Sequence, residues 1–356
     1  MTPVRLPLLI LLVVAVADVG TGQDTVFYPF LILCPALAAL TATPRAVVLV
    51  GLVCFPVRYL LSRYDHPEEP LTSSVFLANS AVFLVAIVLC AYQARLRIRR
   101  ETTLADVTSV ALAAQEVLLP TLPSTVGGVR ISMRYFAAAA EARIGGDLYA
   151  AVDTPFGTRI LIADVCGKGL GAVRTASLVL SAFREAALDD PDLATVAHRA
   201  DTNVSRFSDD GDFVTALLVE VHPTHLALLH RGHVAPILVG PSGVRDLDPP
   251  APGLPLGLGQ LGPEADTPWT TAFHPGEVLV LVTDGVLEAR DANGAFYPLH
   301  DRLGVLMDPP DPDHAWGQGN LDRAADRIGA DLLGHAHGKA RNDDAVVMLI
   351  TRTGPA

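Results

Sequence analysis

Residues 159–169, Arg-Ile-Leu-Ile-Ala-Asp-Val-Cys-Gly-Lys-Gly, and residues 278–285, Val-Leu-Val-Leu-Val-Thr-Asp-Gly, share one plan. In each, a short apolar run rich in Val and Ile ends directly in an aspartate, Asp164 or Asp284, followed by turn-like residues. Runs of this length closed by such residues read as buried strands, which places both carboxylates at strand ends. Two more acidic positions flank strands from the other side. Asp147 follows Gly145 and Gly146 and leads into Leu148 and Tyr149, while Asp343 and Asp344 precede the apolar run 345–350. Between these points the chain alternates strand-like and helix-like segments.

Carboxylates at strand ends, beside glycines that let backbone approach closely, are the raw material of a hard-cation site. Mg²⁺ and Mn²⁺ prefer oxygen ligands and keep several waters, so three or four carboxylates suffice. Two such ions roughly 4 Å apart position a phosphoryl group and lower the pKa of a bound water, which removes the need for a protein nucleophile. The sequence offers no convincing Ser-His-Asp or Cys-His arrangement in competition.

The composition bounds the partners. The 356 residues are 18% charged with a net charge of −12, yet the mean hydropathy is positive, so apolar and acidic residues are segregated. Residues 6–94 are dominated by Leu, Val, Ala, Ile and Phe, and nearly all acidic residues follow Glu101. A nucleic-acid partner is excluded, because phosphate contacts need a basic face that the later part lacks. Cys34, Cys54 and Cys90 sit in apolar runs and Cys166 in a glycine-rich turn, with no disulfide or metal-ligand spacing among them.

A bilayer core of about 30 Å needs about 20 apolar residues per helix. Four runs approach this, at 6–19, 26–42, 46–61 and 74–92, giving a multi-pass anchor of about four helices in residues 1–94. The first run reads alternatively as a signal peptide, since Arg5 precedes it and small residues follow. Arg95, Arg97, Arg99 and Arg100 come straight after the fourth run, and arginines clustered there stay inside. The protein is therefore expected in the plasma membrane, in contact with lipid, with its downstream domain cytoplasmic. Arg58 and Arg63 would flank an external loop, which runs against a count of four.

Residues 95–122 form the linker. Leu104, Val107, Ala111, Ala114 and Leu118 are spaced three and four apart, an a/d seam of about two heptads. It reads equally as a dimerising coiled coil, giving a homodimer, or as an amphipathic helix packed on the next domain.

The motifs Gly145-Gly146-Asp147-Leu148-Tyr149, Ala163-Asp164-Val165-Cys166-Gly167-Lys168-Gly169, Phe213-Val214-Thr215-Ala216, Gly232-His233, Pro255-Leu256-Gly257, Thr283-Asp284-Gly285-Val286-Leu287-Glu288-Ala289 and Asn342-Asp343-Asp344 occur in one order. In that order the chain resembles bacterial PPM-type (type 2C) serine/threonine protein phosphatases, in the branch of stage II sporulation protein E and RsbU-like enzymes. The resemblance covers about residues 110–352 and includes Ala114-Gln115-Glu116-Val117-Leu118-Leu119-Pro120, which is similar to the regulatory helix preceding those catalytic domains. It implies an α+β fold, an αββα sandwich of two antiparallel sheets flanked by helices, in residues 123–352, preceded by the all-α membrane domain. It also implies a site of two Mn²⁺ or Mg²⁺ ions: Asp164 bridging both, the Val165 carbonyl as a further ligand, Asp284 and Asp343 completing one ion and Asp147 serving the other. The implied reaction is hydrolysis of phosphoserine or phosphothreonine on a partner protein, in this branch typically an anti-sigma-factor antagonist.

One aspartate at a strand end is ordinarily a turn or helix cap, and four inside these motifs reverse that reading. The chain departs from the pattern in three places. Ala150 stands where many relatives carry a second acid, Cys166 where they often have Ser, and Ala139 or Ala140 where a Pro is common. These departures leave a second reading open, a catalytically weak membrane-tethered scaffold. Lys168 reads as a surface charge because the Walker pattern is missing around it. His233 reads as a buried, hydrogen-bonded turn residue and Asp344 as structural. His335 and His337 read as exposed, and Glu288 as support for the turn after Asp284.

Overall fold

The computed structural model describes residues 5–22, 25–65, 74–119, 121–137, 146–208, 211–262, 267–307, 316–336 and 343–353, and within 104–117 the backbone. The chain divides into two compact units, Met1–Asp106 and Val107–Ala356.

The first unit is helical. It contains α1 (Arg5–Thr21), a 3₁₀ turn (Tyr28–Ile32), α2 (Leu33–Thr41), α3 (Pro44–Asp65) and the start of α4 (Ser74–Leu118). Each of the four apolar runs is thus helical. The second run opens with a 3₁₀ turn, where Pro29 removes a donor. Leu31, Cys34, Val47, Cys54, Phe83 and Ile87 form the unit's core. Gly51 lets α3 and α4 meet, since a Cβ there would lie 2.6 Å from the Ile87 side chain. Leu49, Leu52, Leu60, Leu77, Val82, Val88 and Leu89 stay exposed, an apolar surface suited to lipid. Two helices, Pro44–Asp65 and Ser74–Thr103, are long and apolar enough to cross a membrane, while the apolar helix Tyr28–Thr41 is shorter. The linker seam falls within α4, and its side chains from 104 to 117 lie outside the described residues.

The second unit has two antiparallel sheets. One runs in the order β1 (Thr125–Val126), β2 (Val129–Phe136), β11 (Ala345–Arg352), β10 (Val278–Val282), β7 (Ile237–Gly240), β8 (Gly243–Asp246). The other runs β3 (Asp147–Thr154), β4 (Gly157–Val165), β5 (Val214–Val221), β6 (His225–Arg231), β9 (Trp269–Ala272). Helices α5 (Leu170–Asp189) and α6 (Leu193–Phe207) cover the β3–β9 sheet, and α8 (Leu299–Leu306) and α9 (Gln318–His335) cover the other. The short α7 (Asp284–Leu287) follows β10. This is the expected αββα sandwich.

Side-chain alternation sorts the layers. In β4, Ile160 and Ile162 point between the sheets, toward Leu279, Leu281, Val346 and Met348, whereas Leu161 and Ala163 point to Val179, Leu180 and Phe183 of α5. Because both faces are covered, β4, β10 and β11 read as continuous apolar runs without polar alternation. Each fully buried Leu or Ile here stabilises the fold by about 1.5–3 kcal/mol. The fully buried Arg159 pairs with its cross-strand neighbour Glu220 at 2.6 Å and donates to the Ala187 and Pro191 carbonyls, which satisfies acceptors at and beyond the end of α5.

Close backbone approach fixes the junction of β10 and β11. A Cβ at Gly285 would lie 1.8 Å from the Asp344 carbonyl oxygen, a contact no side chain can occupy. Gly285→Ala therefore lowers stability by about 1–3 kcal/mol, a fall of roughly 2–4 °C in Tm per kcal/mol. Gly171→Ala, in open space in the first turn of α5, leaves Tm unchanged or slightly raised. Thermal unfolding of the two variants checks this, and equal effects would contradict the packing described.

Candidate metal centre

The alternation that builds the sandwich also aims the acidic residues. Asp164 has the parity of Ile160 and Ile162, so its carboxylate projects into the gap between the sheets at their end. Asp147 is its direct cross-strand partner and lies on the same face, sharing parity with Tyr149. From the opposite sheet, Thr283 continues the Leu279–Leu281 face, and Asp344 that of Val346 and Met348. Asp284 begins α7 immediately after Thr283, and Asp343 immediately precedes Asp344.

Thr283, fully buried, joins the two sheets. Its hydroxyl donates to Asp147 Oδ2 at 2.8 Å and accepts from the Val346 N–H at 2.9 Å, while its own N–H donates to the Val346 carbonyl. Tyr135 donates to the buried Asp344 carboxylate. Lys168 lies against Asp343, Nζ to Oδ1 2.8 Å. Lys168 is exposed, as the sequence reading has it, and the loop after β4 also brings its ammonium to Asp343.

The carboxylates sense one another. Burial, then the charge of Asp164, raises the Asp147 pKa well above the usual carboxyl range, against the Thr283 hydrogen bond. Asp164 is pushed up to about 7, first by burial and then by Asp284 and Asp343, with Lys168 opposing. Asp284 is raised by burial, then by Glu288 and Asp343. Such mutual elevation marks a site short of positive charge.

A pair of hard divalent ions fits these residues. The donors are carboxylate oxygens with a backbone carbonyl beside them, and Gly146 keeps that corner open. A Cβ on it would lie 2.4 Å from the Val165 carbonyl oxygen and 2.5 Å from Asp164 Oδ1. Among the described residues, no three His, Cys, Asp or Glu side chains converge closely enough to ligate one ion. Thr283 holds Asp147, Lys168 holds Asp343 and Tyr135 holds Asp344, each drawn to its own partner.

The remaining motifs sort into supports and neighbours. Leu256 bridges to Val214, and Gly232 packs where a Cβ would meet Pro255, so the motifs at 213–216, 232–233 and 255–257 form one contiguous wall. His233 is buried with Nδ1 2.9 Å from Thr215 Oγ1. Ala150 faces the α5 side of its sheet inside the core, and Cys166 is exposed. His335 meets the Ala295 carbonyl at 3.1 Å and the edge of Tyr297. Glu288 is exposed, with its N–H on the Asp284 carbonyl. Gly145, Asn342, His337, Ala139 and Ala140 lie outside the described residues. The sequence reading gave no role to Thr283, Tyr135 or Thr215. Period-two counting from Leu281, Val346 and Leu217 was the signal that aims Thr283, Asp344 and Thr215 into the same gap.

Comparison with solved structures places this arrangement. The chain is similar to the PP2C domain of SiaA from Pseudomonas aeruginosa, at 21% identity and a TM-score of 0.56 over 72% of this chain and 98% of that one. It is also similar to the RsbU and RsbW domains of a Mycobacterium tuberculosis protein, at 20% identity and a TM-score of 0.52 over 65% of this chain and 62% of that one. The second unit thus has the fold of PP2C-type phosphatase domains. The chain belongs to the stage II sporulation protein E (SpoIIE) family, which residues 154–353 match. That segment contains Asp164, Asp284 and Asp343, and Asp147 lies just before it. No curated protein sequence matches the chain.

The raised pKa of Asp164 has a measurable consequence. Below about pH 4 Asp164 is protonated in both folded and unfolded chains; between about pH 4 and 7 the unfolded chain ionises first, so stability falls as pH rises. Asp164→Asn removes this cost. In EDTA its Tm exceeds that of the parent at pH 7.5 by several degrees, and the gap closes at pH 4. A gap independent of pH would contradict the buried-charge assignment.

Proposed function

We propose that the chain is a membrane-anchored, metal-dependent serine/threonine protein phosphatase whose substrate is a phosphorylated partner protein, an anti-sigma-factor antagonist. The observation that carries the reading is that Asp147, Asp164, Asp284 and Asp343 lie at the same end of the gap between two sheets, where burial and then neighbouring charge raise the pKa of the first three. Membership of the SpoIIE family supports the reaction class, and the regulatory domains named in a structural relative support a phosphoprotein substrate.

Asp147, Asp164, Asp284, Asp343 and the Val165 carbonyl would hold two Mn²⁺ or Mg²⁺ ions. Such ions, when bound, polarise a phosphoryl oxygen and bring a bound water toward a pKa of about 7. The chain's own residues prepare that setting. Thr283 fixes the Asp147 carboxylate, Gly146 leaves the Val165 carbonyl uncovered, and the β3–β4 register keeps Asp147 opposite Asp164. The position of Ala150 in the core favours this reading over a weak scaffold, since an acid there would face α5 rather than the acidic centre.

In this reading residues 1–94 anchor the protein in the plasma membrane as a multi-pass domain, 95–122 link it to the enzyme, and 123–352 work in the cytoplasm. The apolar helices and the arginines at 95, 97, 99 and 100 support that orientation.

Full-length protein in detergent hydrolyses p-nitrophenyl phosphate and a phosphoserine protein with Mn²⁺, and EDTA abolishes the activity. Asp164→Ala and Asp343→Ala each lower kcat/KM by about 100-fold or more, on the scale of removing a principal charge-stabilising group. Undiminished hydrolysis by Asp164→Ala, or in EDTA, would overturn the proposal.

A further inference from the structure

We propose that His233 is a positioning residue for the acidic centre, its imidazole holding the hydroxyl of Thr215, the cross-strand partner of Asp164. This rests on the metal-dependent reading above and adds a residue to it.

The geometry starts from β5. Thr215 is the cross-strand partner of Asp164, and its hydroxyl lies 3.5 Å from the Asp164 carbonyl oxygen and 2.9 Å from His233 Nδ1. The Thr215 hydroxyl is therefore shared between His233 and the residue that carries the central carboxylate. On its other side the ring faces the Val282 carbonyl, two residues before Asp284, although Nε2 makes no hydrogen bond of good geometry among the described residues. The imidazole thus bonds β5 at the residue paired with Asp164, while the crosslink between the sheets is that of Thr283 and Asp147. The loop holding it is itself fixed. His230 Nε2 binds the His233 carbonyl, the Gly232 N–H meets His230 Nδ1 at 3.2 Å, and Gly232 takes φ +70° against Pro255.

Stability alone does not account for this ring. A buried nitrogen without a hydrogen bond costs about 1–3 kcal/mol, which a leucine of similar volume would not incur. Burial together with nearby His230 pushes the His233 pKa down to about 3, so the ring stays neutral and adds no positive charge to the acids. A neutral, enclosed ring bonded to Thr215 keeps that hydroxyl placed beside the Asp164 backbone. Groups bonded directly to metal ligands typically change metal affinity by 10–100-fold when removed, and His233 acts one step further back, through Thr215 on the Asp164 backbone.

The test uses full-length protein in detergent and reads Mn²⁺ binding by the EPR signal of the free ion, beside kcat and the Tm in EDTA. His233→Leu and Thr215→Val each weaken Mn²⁺ binding about 10-fold or more and lower kcat, with Tm unchanged or raised for His233→Leu. His233→Asn, which can still bond Thr215, recovers most of the loss. The double variant is no worse than either single one, because both break the same link. The inference is overturned if both single variants bind Mn²⁺ as the parent does, or if their effects on binding simply add. Asp164→Ala separates the two levels: if it abolishes Mn²⁺ binding while the others leave it intact, the His233 role alone fails. If Asp164→Ala also leaves binding intact, the acidic centre and the role of His233 fall together.

Discussion

Four carboxylates are held at one end of a gap between two apolar sheets, and the rest of the catalytic unit is arranged around that repulsion. Like charges in a poorly solvated setting favour unfolding, so the surrounding fold must be rigid enough to keep them there. The αββα sandwich supplies that rigidity through three apolar layers, one between the sheets and one beneath each helical pair. In the proposed function a cation would offset the repulsion, which would make the same feature the source of strain and of affinity. Lys168, resting on Asp343, moderates part of it from the loop after β4.

Polar links within and between the sheets give the acidic end its shape. Thr283 reaches Asp147 across the gap, Tyr135 reaches Asp344, and Thr215 sits between His233 and the Asp164 backbone. Glycines at 146 and 285 serve the same end by leaving backbone carbonyls where side chains would otherwise lie.

Much of this was legible in the sequence, for definite reasons. The strands ending in Asp164 and Asp284 are buried on both faces, so they appear as unbroken apolar runs closed by a turn, and the ordered motifs identified the sandwich. The four acidic positions were legible for the same reason. The links between them were not, because Thr283–Asp147 and Tyr135–Asp344 join residues 136 and 209 positions apart. Nor were short edge strands such as β1, β8 and β9, which carry two to four residues and too little pattern to detect. The contact of the exposed Lys168 with Asp343 was not legible either, because the two are 175 residues apart. In residues 1–94 the four apolar runs are all helical, and two of the helices are long and apolar enough to cross a membrane; the proline-bearing second run forms a 3₁₀ turn and a short helix.

The central claim is that acids from both sheets bind divalent cations between them. Anomalous diffraction from crystals of the protein grown with manganese tests it most directly. The account predicts two anomalous peaks within ligand distance of Asp147, Asp164, Asp284 and Asp343, with the Val165 carbonyl on one of them. Well-ordered density for those four side chains with no anomalous peak among them would contradict it.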